Sequence, residues 1–111
     1  MRIENHKVGA VTVVEPHGPV VQDDAEVFGS RLLATVRDSM GRLVVDVSGV
    51  PYVDSAGLEV LADAATQLQS TGQSLRLCGA NETLRTVFDL TELGTKFDHY
   101  QDVNTAVRSF L

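Results

Sequence analysis

Apolar positions change their spacing several times along this chain, and each change marks a boundary between elements. Val8 to Val14 reads as a strand, and Met1 to His6 pairs with it as an antiparallel hairpin through Lys7 to Ala10. Pro16-His17-Gly18-Pro19 is a turn cluster expected to end this unit. After Val20-Val21, Asp23 with Glu26 three residues on has the form of an acidic capping box. Ala25, Phe28, Leu32 and Val36 then share one helical face, and Gly41 is the expected stop. Leu43-Val44-Val45-Asp46-Val47 is a short, β-branched apolar run of the kind found in a buried central strand. The loop Ser48 to Val53 leads into a second helix faced by Leu58, Leu61, Ala62, Ala65 and Leu68 and closed by Gly72. Leu75 to Cys78 is a further strand, followed by Asn81 as a cap and a helical stripe of Leu84, Val87 and Phe88. A weak strand over Phe97 to Tyr100 precedes a last helix, capped by Asp102 and faced by Val103, Ala106, Val107 and Phe110.

Single strands alternating with helices imply right-handed crossovers and a sheet that is parallel in its middle. The expected class is therefore α/β, a single domain over residues 1–111. The N-terminal hairpin makes the sheet mixed, with about five or six strands and about four helices packed mainly on one face.

Composition narrows the function. The formal net charge is −6, and the nine basic residues are scattered, which disfavours direct nucleic-acid binding and favours a partner with a basic surface. No apolar run approaches the roughly 20 residues of a membrane span, so no membrane insertion is expected. The start of the chain has no apolar block of a secretory signal, and a cytoplasmic protein is the expectation. The single cysteine, Cys78, excludes an internal disulfide and multi-cysteine zinc patterns, and reads as a small buried residue. There is no glycine-rich phosphate loop, so no cofactor is expected. Asp23, Asp24 and Glu26 lack calcium-loop spacing, and a helix start explains them better than a metal.

One stretch stands out, Val50-Pro51-Tyr52-Val53-Asp54-Ser55-Ala56-Gly57-Leu58. Asp54 or Ser55 can cap the second helix, and with Asp54 as the cap Val53 and Leu58 occupy the positions of a hydrophobic staple. Capping needs one polar side chain, yet here there are two. Gly57 lies in the first turn at a cost of roughly 0.5–1 kcal/mol relative to alanine, which suits close approach by another protein beside Ser55. The turn also follows the carboxyl end of a central strand, where open α/β sheets place their functional groups. A nucleophile elbow would need glycine two residues before the serine, where Val53 stands. His6, His17 and His99 show no general-base motif and no carboxylate partner, which weighs against a hydrolase.

Asp54-Ser55-Ala56-Gly57-Leu58, following Leu43 to Val50, resembles the signature of STAS domains, specifically the bacterial anti-sigma factor antagonists. Leu75 to Ala80 and Leu84 to Leu93 are also similar to family segments, in the expected order along essentially the full chain. The resemblance implies a regulator without catalytic activity that captures an anti-sigma factor and thereby frees a sigma factor. The partner would be a serine kinase using ATP, which phosphorylates Ser55 and switches the antagonist off; a metal-dependent (PPM-type) serine phosphatase would reverse the step. Asp54, Ala56 and Gly57 would then line the partner-binding surface. Many family members carry an aspartate in a Gly-x-Leu/Ile-Asp motif before the first helix; the matching segment here is Gly18-Pro19-Val20-Val21, so Asp23 or Asp24 would substitute for Val21. The alternative implied by the same resemblance is a non-phosphorylated adaptor of a stressosome-like or membrane-transporter assembly.

Overall fold

The computed structural model describes residues 1–111. Strands β1 (Arg2–Val8) and β2 (Val11–His17) are followed by α1 (Gln22–Asp38), β3 (Leu43–Asp46), α2 (Ser55–Gln69), β4 (Leu75–Cys78) and α3 (Glu82–Leu90). A 3-10 turn (Leu93–Lys96), β5 (Phe97–Tyr100) and α4 (Val103–Arg108) complete the chain. The five strands lie in the sheet in the order of the chain. β1 and β2 are antiparallel, and the β2–β3, β3–β4 and β4–β5 pairs are parallel, so the mixed α/β sheet expected from the alternation is the one observed.

The hairpin is tighter and longer than its sequence pattern indicates. Val8 faces Val11 across a two-residue loop, and Gly9 has φ +61°, the left-handed conformation that the first position of a type II′ turn requires. Pro16 and His17, expected in a turn, continue β2 opposite Ile3 and Arg2. Counting from the closing pair, Pro16 falls at a non-hydrogen-bonded position, and β2 has by then passed its last pairing with β3, at Val14. Its missing N–H therefore breaks no ladder bond.

Alternation on the strands sends side chains to two cores. Val14, Leu43, Val45, Leu75, Leu77 and Phe97 face α1, α2 and α3, where they meet Phe28, Leu32, Leu61, Leu68, Leu84 and Phe88. The opposite face is covered only by α4, over a small cluster of Val11, Val44, Cys78 and Ala106. On α1 the expected stripe of Ala25, Phe28, Leu32 and Val36 is buried throughout. On α2 Ala64 is buried where Ala62 was expected, and of the four residues expected on the face of α4 only Ala106 is fully buried.

The capping box at Asp23 is not formed. α1 starts at Gln22 with Val21 at its N-cap position, and no side chain of its own caps it. Asp23 and Asp24 lie inside the first turn, where their charge complements the positive end of the helix. Asn81 and Asp102 do cap α3 and α4, accepting from the N–H groups of Leu84 (2.8 Å) and Thr105 (2.8 Å).

Candidate functional site

The starts of α1, α2 and α3 converge beyond the carboxyl ends of the strands, around the loop that links β3 to α2. Three contacts built from backbone and short polar side chains hold them. Val20 forms an isolated parallel bridge with Val53, its N–H donating to the Tyr52 carbonyl at 3.2 Å while its carbonyl accepts from Asp54 N–H at 3.4 Å. Asn81, while capping α3, donates from Nδ2 to the carbonyl of Pro51 at 3.1 Å. Asp54 joins the other two helices: Oδ1 accepts from Gly57 N–H at 2.9 Å, capping α2, and Oδ2 accepts from Gln22 N–H at 3.0 Å, capping α1.

One carboxylate thus serves two helix ends. The Gly57 bond holds its carboxyl below the usual carboxylate range against a partial loss of hydration, and the Gln22 bond adds to the effect. Asp54, rather than Ser55, is the cap of α2, and Val53 and Leu58 both pack on the main core from the staple positions. Gln22 is held at φ +48°, unusual for a residue with a side chain, at the point where α1 depends on a cap from outside itself.

Ser55 is exposed at the first position of α2, directly after this cap. Ala56 is half-buried and packs on the core, while on the neighbouring helix start Asp23 is exposed and Asp24 half-buried. Asp24 lies 3.6 Å from the N-terminal amine. Gly57 also has a task inside the fold. It is buried, and a Cβ there would sit 2.3 Å from the Val20 carbonyl oxygen and 3.1 Å from Val53 Cβ. The missing side chain makes room for the chain's own Val20 segment.

Two contributors escaped the sequence reading. The Gln22 N–H is one, because only the long-range Val20–Val53 bridge brings it within reach of Asp54. Tyr52 is the other, an aromatic ring 51% exposed on the loop leading to Ser55. An aromatic residue two positions before a polar pair was the available signal. Cys78, expected to be an inert buried thiol, is buried on the far face, and burial first, then the nearby Asp46 carboxylate, pushes it up to about 12.

The chain matches a profile described as STAS domain over residues 2–106. It is 30% identical over 91 residues to BtrV of Bordetella bronchiseptica, a protein named as a candidate anti-sigma factor antagonist; the match covers 82% of this chain and 78% of that one. The crystal structure of an anti-sigma factor antagonist from Mycobacterium paratuberculosis superposes with a TM-score of 0.85 at 24% identity, covering 97% of this chain and 92% of the other. The anti-sigma factor antagonist SpoIIAA superposes in its unphosphorylated form with a TM-score of 0.73 at 12% identity, covering 97% and 96%. Its phosphorylated form, from Bacillus, gives 0.71 at 15%, covering 97% and 99%. No helix is long and apolar enough to cross a membrane.

Proposed function

From the premise that this chain belongs to the STAS domain family, with relatives named as anti-sigma factor antagonists, we propose that it captures an anti-sigma factor through the face around Ser55 and is released when Ser55 is phosphorylated. One observation carries this reading: Ser55 is exposed on a helix start that a separate residue, Asp54, already caps. The serine is therefore free of the task that usually explains a hydroxyl at this position.

The switch follows from charge. Phosphorylation adds about −1.5 to −2 at neutral pH. The positive end of α2 accommodates it with roughly 0.3–1 kcal/mol, so the isolated domain keeps its fold. SpoIIAA supports that expectation, since both of its forms share this fold. Within an interface the same group must lose water and sits beside Asp54, with Asp23 and Asp24 on the adjoining helix. A loss of about 3–4 kcal/mol there weakens binding more than a hundredfold. Tyr52 provides the apolar anchor of the contact, and Gly57 lets the Val20 segment support the loop. The chain performs no chemistry itself. The cap bonds hold the Asp54 carboxyl below its usual range and make it a weak base, so the proton leaving Ser55 Oγ passes to a base of the kinase, which also brings ATP and its metal.

The test is affinity capture from the source cell with ATP or ADP present, using wild type, Ser55→Ala and Ser55→Asp. Wild type and Ser55→Ala should recover an ATP-binding anti-sigma kinase, and Ser55→Asp should not. Equal recovery of a scaffold or transporter component by all three would overturn the switch and indicate a constitutive adaptor.

A further inference from the structure

Away from Ser55, the outer surface of the hairpin carries a second group of chemistry-bearing side chains. The pairing of β1 with β2 sets Glu4 directly opposite Glu15 and Arg2 opposite His17. Like charges directly opposite one another destabilise a strand pair. Here a nitrogen stands between them: His17 Nε2 lies 3.6 Å from Glu4 Oε2 and 3.7 Å from Glu15 Oε2. That nitrogen is buried and has no hydrogen-bond partner, although the histidine side chain as a whole is 29% exposed. The second oxygen of each carboxylate is held from outside, Glu4 Oε1 by Arg2 Nε at 3.4 Å and Glu15 Oε1 by His6 Nδ1 at 3.4 Å.

We propose that Glu4, Glu15 and His17 form a binding site for a divalent cation of the zinc class. Their ligand atoms lie within 4.8 Å of one another. Zinc takes imidazole nitrogen and carboxylate oxygen at about 2.0–2.2 Å, which for a tetrahedral site sets neighbouring donors roughly 3.3–3.5 Å apart. The separations from His17 need to close by only a few tenths of an ångström. The cation would neutralise the facing carboxylates and occupy the unpartnered nitrogen, and three protein donors leave a fourth position for water. Arg2 and His6 stand 3.4 Å from the outer oxygens, where second-layer partners stand in metal sites. One imidazole among the donors selects zinc over magnesium or calcium, which prefer oxygen alone. No spacing along the sequence marks this group, because its members are brought together only by the register of the hairpin.

The site stands apart from the Ser55 switch and is tested separately. Untagged full-length chain is titrated with zinc chloride in a calorimeter at neutral pH, with excess magnesium as competitor. One zinc per chain, undisturbed by magnesium and unchanged in Ser55→Ala, is expected. His17→Gln and Glu4→Gln should each weaken binding at least about tenfold. Cobalt in place of zinc should give visible absorption bands in the wild type that His17→Gln removes. Should His17→Gln disturb the hairpin, Glu4→Gln probes the same site at an exposed position. Absence of binding, or binding untouched by both variants, would overturn the proposal. So would binding lost in His6→Gln and kept in His17→Gln.

Discussion

At the scale of single residues, Gly57 and Asp54 share the work of joining two helix starts, and each makes a distinct prediction. Gly57→Ala should destabilise the domain by about 1–3 kcal/mol in urea unfolding, although alanine is the better helix former. The added methyl would meet the Val20 carbonyl at 2.3 Å, and that carbonyl is fixed by its bridge to the α2 loop. Asp54→Ala should cost more stability than Asp102→Ala, because it uncaps both α1 and α2 while the latter uncaps α4 alone. The Asp54 carboxyl titrates lower in the folded chain than in the unfolded one, chiefly through the Gly57 N–H bond. Between those two values the unfolded chain binds more protons, so stability rises with pH. The contribution is complete above about pH 4 and is lost as pH falls through the folded-state value. Unfolding free energies measured across the acid range should therefore fall less steeply in Asp54→Asn than in wild type.

At the scale of elements, α4 is the shortest of the α-helices and covers the one thiol. It packs alone on its face of the sheet, held by Arg76, whose Nε donates to Ser109 Oγ at 2.7 Å and whose guanidinium lies 3.7 Å above the Phe110 ring. Removing residues 103–111 should expose Cys78 and raise its rate of alkylation at least roughly tenfold over the intact chain, while hydrogen exchange in α1 and α2 stays protected. Unchanged alkylation would mean that α4 does not shield the thiol. Elements governed by local chemistry were legible in the sequence: Asn81 and Asp102 announce the starts of α3 and α4, and Phe97 to Tyr100 is a strand as read. The start of α1 was not legible. A Val20–Val53 contact decides where that helix begins, and Asp23 is already inside the first turn when it does. On α4, six residues make too short a helix to bury a full stripe, so periodicity overstated its face.

At the scale of the molecule, the alternation of strands and helices was enough to reach a mixed sheet with helices mainly on one side, because handed crossovers leave few other ways to bury those faces. The polar pair Asp54-Ser55 was equally visible, but its reach was not: that Asp54 caps a second helix depends on a residue 32 positions away. The strand order, in which every strand lies beside its neighbour in sequence, has a consequence for how the chain comes into being. No strand has to be inserted between two already paired. Each βα unit can add to the open edge left by the one before it, so no closure has to span more than a single crossover. A chain leaving the ribosome from its N-terminus can therefore build the sheet by accretion, starting from the hairpin, with α4 arriving last to cover the far face.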